Sequence, residues 1–304
     1  METILISGGT GLIGTALSEL LIKKGYQVTI LTRKAKGPEK GISYAEWNVN
    51  KGVIDRNAIA TADHIIHLAG ANVAEKRWTE ERKQEIVNSR MNAGKLILKG
   101  LKEIPNKVKT VISASAIGWY GPDTPGMKRG FIESDPNSND FLGSTTRQWE
   151  ESILPVAGLG KRLAILRTGI VLSNKGGAFP EYIKPMKLGV AGIIGGGEQI
   201  VSWIHIDDIV RMYVAAIENQ NLSGVYNATA PETVTNKALT LAIARHRHKT
   251  FIPIHVPEFA LQVYLGEMKV EVLKSTTVDD EKIRKAGFKF LFPSLESALN
   301  ELIS

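Results

Sequence analysis

Five short apolar runs recur along the first 168 residues: TILIS at 3–7, QVTILT at 27–32, HIIHLA at 64–69, TVISAS at 110–115 and LAILRT at 163–168. Between the first two, LIGTALSELLIKKG places apolar residues at helical spacing and stops on Gly25, a C-terminal helix signal. Strands covered by helices on both faces read as unbroken apolar runs. The alternation therefore predicts an α/β fold built on a doubly wound parallel sheet. After residue 172 the pattern changes. A glycine-rich stretch, GVAGIIGGGEQ at 189–199, precedes SWIHIDDIVRMYVAAIEN and a short strand candidate, GVYNAT. From about residue 231 onward short helical patterns alternate with prolines, more like a separate lobe than a continued sheet.

Composition narrows the class. Hydrophobic content of 43% and charged content of 23% are those of a globular protein, which excludes long disorder and coiled coil. Cysteine is absent, so disulfides, thiolate metal sites and cysteine nucleophiles are excluded, and no metal is expected. METILISGGTGLIG lacks a basic n-region and breaks its apolar run at Gly8 and Gly9, a poor secretory signal. No stretch reaches the about 18 unbroken apolar residues of a membrane helix. The expectation is a cytoplasmic protein with no membrane contact. A net charge of +7 invites a nucleic-acid partner, but basic residues are interspersed with acidic ones, as in TEERKQEIVNSR. The densest cluster, RHRHK at 245–249, is too short to read a groove. An anionic small molecule is the better-fitting partner.

The first strand runs directly into Gly8-Gly9-Thr10-Gly11-Leu12-Ile13-Gly14 and then a helix. This spacing permits a tight turn, close backbone approach to a pyrophosphate, and close packing of helix on strand. The next strand ends in Thr32-Arg33-Lys34 with no carboxylate. An acidic residue there would bond a ribose 2′-hydroxyl; a guanidinium suits a 2′-phosphate. NADP(H) is the predicted cofactor.

With those motifs in place, the whole chain resembles the extended short-chain dehydrogenase/reductase superfamily, the group of the nucleotide-sugar epimerases. HLAGANV at 67–73 looks like its strand-four motif. SASAIGWYG at 113–121 resembles its serine-containing strand-five motif, with one extra residue between Ser115 and Tyr120-Gly121. More narrowly, the chain is similar to the atypical "epimerase family" proteins with a C-terminal domain of unknown function. RWTEERKQEIVNSR at 77–90, DFLGSTTRQWE at 140–150, RTGIVL at 167–172 and the tail LGEMKVEVLKSTTV…KAGFKFLFPSLESAL carry that match. The resemblance implies a Rossmann-type NADP-binding domain over 1–172 plus about 201–229. A smaller C-terminal substrate lobe and tail would take about 173–200 and 230–304. It further implies cofactor contacts from Glu85 and Arg90 on the helix after strand four. Leu68, Ala69 and Gly70 would lie under the adenosine ribose and pyrophosphate, and Val171 near the nicotinamide.

In the wider superfamily a Tyr-x-x-x-Lys pair moves the proton that accompanies hydride transfer. Spacing puts Phe141 and Thr145 at those positions; a shift of one gives Leu142 and Thr146. Neither register offers a phenol or an amine. Three possibilities follow. Another group acts as acid or base, with Tyr120, Glu133, His205 and Asp208 the candidates and Ser115 a candidate to orient a substrate oxygen. Alternatively, the protein is a non-catalytic NADP(H)-binding sensor or scaffold, or a reductase whose substrate needs no strong base. Each candidate has a structural alternative: Tyr120 and His205 could be satisfied interior groups, Asp208 a helix N-cap, and Ser115 the end of a strand. The resemblance favours an oxidoreductase or epimerase-like enzyme on a small molecule that the sequence does not name.

Overall fold

The computed structural model describes residues 1–247 and 250–303, so His248 and Lys249 of the basic cluster lie outside the described residues. The five apolar runs form strands at Thr3–Ser7 (β1), Gln27–Thr32 (β2), His64–His67 (β5), Thr110–Ala116 (β6) and Arg162–Thr168 (β7). Two strands the periodicity did not predict, Ile42–Asn48 (β3) and Val53–Ile54 (β4), extend one edge. GVYNAT supplies Gly224–Ala228 (β12) at the other. The sheet runs β12-β7-β6-β5-β1-β2-β3-β4, parallel throughout except for the β3–β4 pair.

Side chains alternate across this sheet, as a strand requires. Ile4, Ile6, Val28 and Ile30 meet helices Leu12–Lys23 (α1) and Ile206–Glu218 (α6) on one face. Leu5, Leu31, Ile65 and Val111 meet Arg56–Thr61 (α2) and Glu80–Glu103 (α3) on the other. Helix Phe141–Ile153 (α4) follows β6 after a 3₁₀ turn at Ile117–Trp119.

Smaller pieces make up the remainder. Ile170–Leu172 (β8) pairs with Trp203–His205 (β11), Val190–Ile194 (β9) with Ile252–Val256 (β14), and Ile200–Val201 (β10) with Val234–Thr235 (β13). Helices Phe179–Met186 (α5), Asn236–His246 (α7), Glu258–Leu265 (α8), Lys269–Leu273 (α9) and Leu295–Leu302 (α11) lie with them, whereas Glu281–Lys285 (α10) packs on β12. Beyond α9 the tail returns to the large sheet: Ile283 is fully buried in the same cluster as Ile4 and Ile6.

Candidate functional site

Parallel strands deliver their carboxyl ends to one edge of the sheet, where ligands of such folds bind. There Gly8 takes φ +73°, and a Cβ on it would fall 2.8 Å from the Leu68 and Ala69 backbone. A Cβ on Gly14 would lie 2.5 Å from the Gly8 carbonyl oxygen. The Gly11 N–H closes the turn on that same oxygen at 3.1 Å. Gly11 is also the N-cap of α1 and has no side chain to occupy the helix's first N–H groups. They stay free for an anion, reinforced by the helix dipole. Past β8, a Cβ on Gly177 would lie 3.2 Å from the Val171 carbonyl oxygen and 3.3 Å from Leu12. Val171 and the glycine loop are thus neighbours.

Arg90 is brought beside Gly70, where a Cβ would meet its Cγ at 3.0 Å. Its guanidinium donates to the Ala71 and Ile86 carbonyls and lies 4.9 Å over the Trp149 ring. Burial, with the Arg82 charge nearby, lowers its pKa to about 10. Glu85 instead accepts from buried Arg82 at 2.6 Å, and Arg82 also holds Asn72 and Glu75. At the end of β2, Arg33 is exposed with no ion-pair partner among the described residues. The unpredicted β3 sets Glu46 in register with Thr32, so a carboxylate does stand one strand away.

The catalytic candidates do not converge. Ser115 Oγ donates to Glu150 Oε1 at 2.6 Å, and Glu150 accepts two bonds from Arg167, at 2.8 Å from Nε and 2.9 Å from Nη2. Tyr120 Oη donates to Asn227 and accepts from Arg167, while its ring stacks on Phe131. Burial pushes its pKa up to about 12. Ser115 and Tyr120 thus share one buried ionic network, with the Glu133 carbonyl also on Arg167. Asp208 lies elsewhere, fully buried, accepting from the Leu291 and Phe292 N–H groups and from Arg211. His205, not Asp208, caps α6, because its Nδ1 accepts the Asp207 N–H; its Nε2 meets Glu301 at 2.9 Å.

Phe141 packs edge-on against Trp78, and Leu142 approaches Gly118 of the 3₁₀ turn. The Thr145 and Thr146 hydroxyls bond back to the carbonyls of Phe141 and Leu142.

Sequence reasoning missed His67, Glu150 and Arg167. His67 ends β5 fully buried; the Trp149 indole N–H, a donor only, points at its Nε2 (3.3 Å). Nδ1 therefore carries the proton and donates to Ser7 Oγ at 2.8 Å. Burial, with Arg90 nearby, lowers the His67 pKa to about 3. A histidine protonated only when unfolded makes stability fall as pH drops below the ordinary value of 6.5. The loss is expected to be about 1.4 kcal/mol per pH unit. Urea unfolding at pH values spanning that window should show a steeper acid loss in the wild type than in His67→Gln; equal slopes would refute the assignment.

A glycine cradle at the carboxyl edge of a mostly parallel sheet defines a Rossmann-type protein of the extended short-chain dehydrogenase/reductase class. The chain belongs to the NAD dependent epimerase/dehydratase family, whose model matches residues 4–229; residues 256–302 match the domain of unknown function DUF1731. It is 37% identical over 304 residues to epimerase family protein YfhF of Bacillus subtilis, covering 99% of this chain and 98% of that one. Human epimerase family protein SDR39U1, solved with NADPH, superimposes with a TM-score of 0.86 at 29% identity and 99% coverage of each chain. UDP-glucuronic acid 4-epimerase from Bacillus cereus, solved with UDP-glucuronic acid and NAD, shares the fold: TM-score 0.80, 21% identity, 99% of this chain and 98% of that one.

Proposed function

We propose that the chain is an NADP(H)-dependent oxidoreductase acting on a small molecule without the Tyr-x-x-x-Lys pair of its superfamily. Arg33 carries the choice of cofactor. It stands exposed and unpaired beside Thr32, whereas nearby Lys36 is engaged by Glu39 and the Tyr44 ring. A free guanidinium offers a 2′-phosphate two parallel hydrogen bonds. The NADPH bound by the human relative supports the same assignment.

Residues 8–14 would hold the pyrophosphate, Leu68, Ala69 and Gly70 the adenosine half, and Val171 the nicotinamide end. Bound nicotinamide supplies or accepts a hydride. Residues of 173–200 and 230–304 would border the substrate. Phe141 and Thr145, or Leu142 and Thr146 in the shifted register, offer neither a phenol nor an amine, so either another group moves the proton or the substrate is acidic enough to need no strong base. One observation favours a second reading, a non-catalytic NADP(H) sensor: the side chains of Ser115, Tyr120 and Asp208 are all engaged within the protein.

Fluorescence titration should show NADPH binding more tightly than NADH. Hydrogen bonds to charged groups are worth about 1.5–3 kcal/mol, so Arg33→Asp should cost NADPH roughly 10–150-fold in affinity and narrow or reverse the preference. Equal affinities in the wild type would sink the assignment and point to Glu46. Oxidation of bound NADPH by any of a panel of carbonyl compounds would favour the enzyme over the sensor.

A further inference from the structure

Between β8 and α5 the chain reads Ser173-Asn174-Lys175-Gly176-Gly177-Ala178, and this segment crosses the start of α1. A Cβ on Gly176 would stand 3.5 Å from the Leu12 side chain, and one on Gly177 3.3 Å from it. Gly177 takes φ +77°, a conformation that suits glycine where the backbone passes this close to its neighbour. Ser173 is buried, and its Oγ accepts the Lys175 N–H at 3.2 Å. That bond fixes the turn, while Lys175 itself stays exposed.

Lys175 lines one cavity with Thr10, Gly11 and Leu12 of the glycine loop. The cavity measures about 610 Å³, within the range of small-molecule sites. Two other cations border it. Arg211 is already bonded to Asp208 at 2.8 Å. Lys23 is the last residue of α1, about 16 Å from Leu12 at 1.5 Å of rise per residue. Glu19 and Asp207 also line the cavity, yet the Lys175 ammonium has no ion-pair or hydrogen-bond partner among the described residues.

An unpaired ammonium on an anchored turn therefore stands at the same end of the cavity as the free N–H groups of α1. Those groups and the helix dipole supply about half a positive charge. That falls short of the charge on a dinucleotide pyrophosphate, and a point cation such as lysine makes up the difference.

We propose that Ser173–Ala178 is a strap over the cofactor's pyrophosphate and that the Lys175 ammonium is its anion-holding group. The proposal rests on the cofactor assignment above. It adds a residue for the phosphates that NADPH and NADH share, whereas Arg33 serves the 2′-phosphate alone. In fluorescence titrations, Lys175→Gln should lose about 10-fold in affinity for NADPH and for NADH alike, as for one charged hydrogen bond. The ratio of the two affinities should stay that of the wild type, the opposite of the pattern expected for Arg33→Asp. Lys175→Arg, which keeps the charge, should recover most of the loss. Gly177→Val, which puts a Cβ 3.2 Å from the Val171 carbonyl oxygen and so displaces the strap, should weaken both nucleotides as well. Lys23→Gln removes the same charge from the far end of the cavity and should change neither. Unaltered affinities in Lys175→Gln, or a loss confined to NADPH, would overturn the proposal. A wild type that binds neither nucleotide would instead overturn the cofactor assignment, and this proposal with it.

Discussion

Exchange of Glu150 for Gln is expected to lower the unfolding free energy by about 3–5 kcal/mol, the usual cost of stranding one partner of a buried ion pair. Arg167 and Glu150 have side chains only 2% and 5% exposed and meet through two parallel bonds. Glutamine keeps the shape and one acceptor oxygen but presents an amide N–H₂ to a guanidinium that has only donors. It also removes the charge that balances Arg167, leaving that cation in the interior. Ser115 Oγ, which donates to Glu150 Oε1, loses a charged acceptor at the same time. The effect should appear as a lower urea midpoint with an unchanged slope, since the surface exposed on unfolding hardly alters. Replacing both partners by hydrocarbon, Glu150→Leu with Arg167→Met, should recover much of the loss, because no charge remains buried. A single variant within 1 kcal/mol of the wild type would mean that water reaches the pair and that the network is looser than its distances imply.

Gly14→Ala should abolish cofactor binding at ordinary concentrations while the protein stays folded. The added Cβ has no room: it would lie 2.5 Å from the Gly8 oxygen and 2.6 Å from the Gly9 Cα. These are backbone atoms, which cannot swing aside as a flexible side chain would. The loop must shift outward, and the N–H groups proposed to hold the pyrophosphate shift with it. Loss of two charged hydrogen bonds at about 1.5 kcal/mol each corresponds to roughly a 100-fold loss of NADPH affinity. Gly25→Ala provides the contrast. Gly25 has φ +87° with nothing within 4 Å of a Cβ, so the variant should lose about 1 kcal/mol of stability and no affinity. Calorimetric titration of both variants decides the matter. Retained affinity in Gly14→Ala would remove the loop from the binding site.

The uneven legibility of the sequence has physical causes. β1, β2, β5, β6 and β7 were readable because each is covered on both faces and so carries an apolar run at its centre. β3 escaped because ISYAEWN mixes exposed Ser43 and Glu46 with buried Ala45 and Trp47, as a strand nearer the sheet's edge can. Its consequence was local but pertinent: Glu46 stands opposite Thr32, where only basic residues had been expected. The glycine loop was legible because its requirement is a backbone one, met within seven consecutive residues. The Ser115–Glu150–Arg167 network was not. Its members are 35 and 17 residues apart, and an isolated Glu or Arg in an amphipathic segment reads as surface charge. Asp208 was placed correctly near the start of a helix, but besides Arg211 its partners are main-chain groups more than eighty residues downstream.

That last separation bears on how the chain is made. A nascent polypeptide that has emerged as far as residue 229 already contains every strand of the large sheet and both faces of helices that cover it. It still carries Asp208 without the two amide groups of Leu291 and Phe292 that satisfy it in the finished protein, and without the Ile283 that closes the adjoining core. A buried carboxyl group is costly where its hydrogen bonds are incomplete. The sheet can assemble during translation with Arg211 as the one partner of Asp208, but the packing of α6 is completed only when the tail has been synthesised. At about 5–20 residues per second the sixty-odd residues in between represent several seconds of waiting.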